Sequence, residues 1–347
     1  MPAPCAAGSI LRCCRFFSPP FRSASRWGRC VDPWPIGGPP SAAHTEVCWN
    51  GGSVTKTKAN GIEIEYETFG KKSDPALLLI MGLGAQLTLW PEPLCEGLAA
   101  KGFFVVRYDN RDVGLSTDFG KWGLPDLMGA FARLMKGEKV DTPYLLDDMA
   151  ADAVGLLDAL GIDRAHMVGA SMGGMIAQIL AAKYPSRTLS LVSIMSTSGR
   201  PGLPTGKPEA VAMLSAAPEG PAREQLIAHG MKLRTVIGSP GYPPDPAELR
   251  ALVERNIDRR YYPAGAARQY LSVLASGPRT ELLKTVKVPT LVLHGADDPL
   301  LPVECGRDVA SLVPGAKIET YPGWGHDLPK GMVPKLVQSI SAFCKAA

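Results

Sequence analysis

Five short stretches of this chain are apolar almost throughout: ALLLIMG at 76–82, FFVVRYD at 103–109, AHMVGA at 165–170, TLSLVSIM at 188–195 and TLVLHG at 290–295. Runs of that length without alternation predict strands buried on both faces, as in a parallel sheet. Ahead of them, SVTKTKANGIEIEYETFG alternates strictly, with Ile62, Ile64 and Tyr66 against Glu63, Glu65 and Glu67. That period of two, with Asn60-Gly61 as the turn, predicts a half-exposed antiparallel hairpin. Other segments repeat at helical spacing. Met149, Ala153, Leu156, Leu157 and Leu160 share one face, with Gly161 as the C-cap. Met175, Ile176, Ile179 and Leu180 share another, and Pro185 stops that helix.

Strand–helix alternation with apolar strands predicts an α/β protein with a mostly parallel, doubly wound sheet. The alternation lapses between about 200 and 278. There PAREQLIAHGMKLRTV and PAELRALVERNI are helical in pattern, prolines are frequent, and no strand is evident. The chain rejoins the sheet at VPTLVLHG. The expected organisation is a core over 53–198 and 279–347, with a helical cap over 199–278 inserted after the sixth strand.

Composition changes the picture mainly at the start of the chain. The 46% apolar fraction is ordinary for a folded domain. Residues 1–52, however, carry Arg12, Arg15, Arg22, Arg26 and Arg29 with no acid before Asp32, eight prolines by residue 40, and five of the eight cysteines. They are expected to be a disordered leader without a catalytic role. An Arg-rich, acid-poor start also suits organellar targeting, although the prolines oppose the amphipathic helix such a signal needs. Arg12 and Arg15 interrupt any signal-peptide core, and no run is long enough for a transmembrane helix. Only Cys95, Cys305 and Cys344 remain in the body, which suits a reducing, cytoplasmic setting. Net charge is +4 with no basic stripe interleaved with aromatics, so nucleic acid is not an expected partner. The pattern carries no information on oligomeric state.

The candidate chemistry sits where a strand meets a helix, in HMVGASMGGMIAQ. Gly169-x-Ser171-x-Gly173 at such a junction is the pattern of a nucleophile elbow, which lifts a serine hydroxyl clear of a sheet. A glycine-rich turn with an ordinary serine is the plainer reading, so the partners decide. A serine needs a base, and the base an orienting acid. His326, in the tight loop YPGWGHDLP between a strand and the last helix, is the expected base, with His294 as second choice. His44, His166 and His229 fall in the leader, a buried strand and the cap. Asp298, held extended before Pro299, is the expected acid, with adjacent Asp297 not separated from it by spacing. The backbone N–H groups of Met172, at the helix start, and of Leu83, in MGLGAQ, are the expected oxyanion donors.

These segments, in this order, resemble the α/β-hydrolase superfamily from about residue 54 to 345. IMGLGAQLTLW, VVRYDNRDVGLS, VGASMGGMIAQ, LVLHGADDPLLP and YPGWGHDLP carry the resemblance. RYDNRDVGLST and GASMGG look like the group containing aclacinomycin methylesterase, and more loosely the cofactor-free haloperoxidases and enol-lactonases. The resemblance implies the α/β-hydrolase fold and a Ser–His–Asp hydrolase of esters or related acyl compounds, with no metal or organic cofactor. Met81 departs from it, since many members have His there, but the donor at that place is backbone. Asp109, Arg111 and Ser116 are expected to brace the loop beside His326.

The substrate expected is a lipophilic, uncharged small-molecule ester. Trp122, Met135, Tyr144, Met213 and Tyr270 are candidate pocket walls, with Phe131, Met231, Tyr242, Tyr261 and Tyr262 behind them. For any single one of these, packing into a local core is the commoner fate. Peracid formation by the same three side chains is a rival reading, and a non-catalytic small-molecule binder a second. Epoxide or haloalkane hydrolysis needs a carboxylate at position 171.

Overall fold

The structure is a computed structural model that describes residues 55–347; the leader expected over 1–52 lies outside these residues. β1 (Thr55–Ala59) and β2 (Ile62–Phe69) form the hairpin, and Asn60 and Gly61 at its turn both have positive φ, 48° and 79°. β3 (Ala76–Ile80), β4 (Phe104–Tyr108), β5 (Ala165–Ala170), β6 (Thr188–Ile194), β7 (Thr290–Gly295) and β8 (Lys317–Tyr321) follow. All eight make one sheet in the order β1-β2-β4-β3-β5-β6-β7-β8. β1 and β2 run antiparallel to their neighbours, and β3 to β8 are parallel to one another.

The helices are α1 (Glu92–Ala100), α2 (Leu127–Met135), α3 (Leu146–Leu160), α4 (Met172–Lys183), α5 (Pro208–Met213), α6 (Arg223–Ile237), α7 (Pro246–Arg259), α8 (Pro263–Ser276), α9 (Thr280–Leu283), α10 (Val303–Leu312) and α11 (Val333–Ala346). Successive residues of a strand point to opposite faces, and β3 shows the result. Leu78 and Ile80 join Met149 and Leu156 of α3 and Ile176 of α4. Leu77 and Leu79 join Leu94 and Leu98 of α1 and Leu336 and Ile340 of α11. Each such side chain contributes roughly 1.5–3 kcal/mol by leaving water. Helices therefore cover both faces, and strands without alternation are what that demands. β8 is different: it lies at the sheet's edge, with Lys317 and Ile318 exposed and Glu319 half-buried.

Five helices, α5 to α9, intervene between β6 and β7. α6 and α7 bury Ile227, Leu249 and Val253 in a small core of their own, with Met231 against it. α8 begins with Pro263 at its first position, which suits a helix start.

The segment RYDNRDVGLS, just after β4, is a hub of buried charge. Asp112 has φ 68°, and its carboxylate accepts from Arg268 Nε (2.8 Å) and a terminal guanidinium nitrogen (2.7 Å), and from Tyr144 Oη (2.7 Å). Arg268 and Asp112 are both removed from solvent. Arg111 grips Asp152 of α3 through two bonds of 2.6 Å. Asp109 accepts from the Leu87 N–H (2.7 Å) and pairs with Arg259 of α7 (2.6 Å), and Ser116 Oγ donates to the Asp109 carbonyl. These contacts correct the expectation that Asp109, Arg111 and Ser116 brace the loop beside His326. Asp109 braces the loop after β3 and ties it to α7, Arg111 ties the loop after β4 to α3, and Ser116 closes that loop onto β2 through the Glu65 N–H. Replacing one member of a buried pair leaves the other charge uncompensated, so Asp112→Ala is expected to cost about 3–5 kcal/mol. Urea denaturation followed by far-UV circular dichroism measures it; a loss under about 1 kcal/mol would mean that Arg268 finds solvent.

Candidate active site

β5 delivers the chain to Ser171, and α4 carries it away one residue later. Ser171 has φ 55° and ψ −119°, a region a residue with a side chain enters only when its surroundings force it. The flanking glycines do the forcing. A Cβ at 173 would lie 2.0 Å from the Ile80 carbonyl oxygen, and one at 169 would lie 2.1 Å from the Gly173 carbonyl oxygen. Backbone meets backbone at both places, so no side chain fits. The loop after β3 also packs tightly here, since a Cβ at 82 would stand 3.1 Å from Ser171 Cβ.

The structure brings Ser171, His326 and Asp298 together. Ser171 Oγ lies 3.0 Å from His326 Nε2, and His326 Nδ1 lies 2.7 Å from Asp298 Oδ2. Asp298 Oδ1 accepts from the N–H groups of Leu300 and Leu301, each at 2.9 Å. Asp298 is thus fixed as an acceptor on both oxygens. A neutral imidazole with its proton on Nδ1 donates to it and leaves Nε2 to accept from the serine. Asp297 does not reach His326; its Oδ2 accepts from the Gly323 N–H at 2.6 Å and closes a turn. His294 also stands apart from Ser171. Its Nε2 faces the Leu301 carbonyl oxygen at 2.8 Å, 3.6 Å separate it from Asp298 Oδ2, and burial lowers its pKa. His166 is a core residue 2.8 Å from Ser190 Oγ, its pKa pushed down to about 4 by burial first and by Arg164 second.

Leu83 and Met172 both border the cavity beside Ser171. Met172 opens α4, so its N–H has no intrahelical acceptor. The Leu83 N–H finds no acceptor among the described residues. Its neighbours are tied down: Asn110 Nδ2 donates to the Met81 carbonyl (2.9 Å), and the Gly84 N–H donates to Gln269 Oε1 of α8 (2.8 Å). A rigid loop thereby holds one unspent donor opposite the helix terminus.

The loop bearing His326 is fastened to the end of α6. The His326 N–H donates to the Ile237 carbonyl (2.8 Å), the Gly325 N–H to Ser239 Oγ (2.9 Å), and the Gly241 N–H to the Gly323 carbonyl (2.8 Å). Ser239 Oγ in turn donates to Asp327, whose carboxyl pKa burial raises.

The cavity measures about 650 Å³, and Met175, Leu203, Leu214, Leu233, Val273 and Leu300 are among its walls. Tyr270 lies on it; Trp122, Met135, Tyr144 and Met213 do not. Trp122 and Met135 are exposed on and beside α2, Tyr144 belongs to the Asp112 cluster, and α5 presents Val211 and Leu214 in place of Met213. The missed walls have one readable signal: Tyr270, Val273 and Leu274 share one face of α8 at helical spacing. Ser239→Ala would leave the Gly325 N–H without a partner and take the hydroxyl from the Asp327 carboxyl, which keeps only the Ser239 backbone N–H, an expected loss of about 1–3 kcal/mol. Chemical denaturation checks this, and an unchanged midpoint would show that the fastening bears no load.

The model of the alpha/beta hydrolase fold family matches residues 75–329. Rhodomycin D methylesterase of Streptomyces sp. strain C5 is 30% identical over 81% of this chain and 94% of its own length. A bifunctional esterase/perhydrolase of Acinetobacter calcoaceticus is 26% identical over 84% of this chain and 99% of its own. The crystal structure of the enol-lactonase from Burkholderia xenovorans superposes with a TM-score of 0.64 at 22% identity, covering 84% of this chain and all of that one. With the sheet order, the elbow at Ser171 and a family match over most of its length, this chain belongs to the α/β-hydrolase fold family.

Proposed function

We propose that this protein is a serine hydrolase that cleaves a carboxylic ester of a small molecule through an acyl-enzyme on Ser171. The observation that carries the reading is the continuous chain Ser171–His326–Asp298, opening on a cavity that two unspent backbone donors also border. Ser171 Oγ attacks the acyl carbon while its proton passes to His326 Nε2. Asp298 keeps the imidazole oriented and stabilises its cationic form. The N–H groups of Leu83 and Met172 receive the oxyanion, each such donor being worth about 3–4 kcal/mol in the transition state. The carbon–oxygen bond to the alcohol breaks, and the alcohol leaves with the proton from His326. Water then gives a proton to His326 as its oxygen attacks the acyl carbon; the acid departs and the proton returns to Ser171 Oγ.

Residues 199–278 act as a cap in this reading, because α5, α6 and α8 all contribute cavity walls. Similarity to proteins named methylesterase and esterase/perhydrolase supports the ester class. The second name also favours a second reading, in which hydrogen peroxide replaces water on the same acyl-enzyme and a peracid leaves. Comparing the two acceptors on one p-nitrophenyl ester separates them.

The test is chemical. A fluorophosphonate probe is expected to label Ser171, and Ser171→Ala is expected to lower kcat on p-nitrophenyl esters by about a millionfold. An unlabelled Ser171, or near-normal turnover without it, would sink the proposal; the first result would point to a non-catalytic binder.

A further inference from the structure

The cavity walls are apolar for the most part, yet two arginines stand among them, Arg200 and Arg234. Arg200 is engaged by Asp308 of α10 and is half exposed. Arg234 is different. It lies on α6 between Leu233 and Ile237, and all three line the cavity, so this face of the helix looks onto Ser171's chamber. Among the described residues the side chain of Arg234 makes no hydrogen bond and no ion pair.

Arg234 is half-buried beside apolar walls, so its guanidinium gives up part of its hydration there. Burial works against the charge of Arg234 and lowers its pKa, with Asp327 alone opposing that. Asp327 is a poor counter-ion. Its carboxyl is already committed to the hydroxyl and the backbone N–H of Ser239, it forms no ion pair with Arg234, and burial raises its pKa. The empty half of the interaction therefore lies in the cavity. A planar fork of donors matches a carboxylate, which it grips through two parallel hydrogen bonds.

We propose that Arg234 is the anion-recognition residue of this cavity, and that the preferred substrate is an ester that also carries a free carboxylate. The proposal rests on the hydrolase reading above and revises the expectation of an uncharged substrate. The apolar walls, Leu233, Val273 and Leu214 among them, take the hydrocarbon between the two ends. Arg234 binds the free carboxylate at one end, and Ser171 meets the ester carbonyl at the other. Substrate length is then read as the span between α6 and the elbow.

Monomethyl esters of glutarate, adipate and suberate, paired with their dimethyl diesters, test this. In the wild-type protein kcat/KM is expected to favour the half-ester at one of these lengths. Arg234→Met should collapse the half-ester/diester ratio by about 10- to 100-fold, mainly through KM, with Arg234→Lys retaining part of it. Calorimetry on the Ser171→Ala protein gives a reading free of turnover. There the half-ester is expected to bind more tightly than the diester, and the difference to vanish when Arg234→Met is added. Equal ratios in wild type and Arg234→Met, or equal binding of half-ester and diester, would overturn the proposal while leaving ester hydrolysis intact. Arg234-dependent binding of the half-ester without any hydrolysis would instead overturn the hydrolase reading and leave this one standing.

Discussion

The constraint on which the site depends is a contact between two stretches of backbone. The first turn of α4 sits so close to the end of β3 that residue 173 has no room for a Cβ beside the Ile80 carbonyl. The approach places the helix terminus, with its unpaired N–H groups and positive dipole end, against the place where a charge on a bound carbonyl oxygen would develop. It also fixes the loop after β3, because that loop starts from the same strand. Ser171 is held at φ 55° between these two pieces. A strained residue persists only where its surroundings leave it no alternative, and here the sheet register of β3, β5 and β6 supplies them.

A second layer of buried charge converts this local geometry into a rigid one. Asp112 with Arg268, Arg111 with Asp152 and Asp109 with Arg259 are pairs drawn from β4's C-terminal loop and from α3, α7 and α8. Well-packed apolar residues could stabilise the same volume as well. Charged pairs add direction, because a guanidinium fork accepts its carboxylate in few orientations. Gln269 illustrates the outcome: one end accepts from the Gly84 N–H and the other donates to the Arg111 carbonyl, 2.7 Å away. The loop that carries Leu83 is thus measured off from α8 by a single side chain.

How much of this could be read from sequence depends on whether the signal is local. Buried parallel strands announce themselves, because helices on both faces forbid alternation, and β5 and β7 fall where their apolar runs stand. β8 escapes the same reading because one side is an edge, so Lys317 and Glu319 sit in it without penalty. Ser171, Asp298 and His326 were legible because each lies in a loop whose neighbours have a stated geometric purpose. The partners of Asp109 and Arg111 were not, since they lie on helices far along the chain. Pocket walls were the least legible. Met231 and Leu233 occupy one helix and are equally apolar, yet rotation alone sends the first into the α6–α7 core and the second into the cavity.

The fastening of His326's loop to the end of α6 has a mechanical meaning. Ile237 holds the backbone of His326, Ser239 holds Gly325, and Gly241 holds on to Gly323. The roof of the chamber and the imidazole are consequently parts of one piece. A roof that swung away would tear those three bonds or drag the imidazole with it, and in the second case Ser171 would lose its partner just as solvent flooded in. The site is interlocked, as a machine guard is: opened that way, it is switched off.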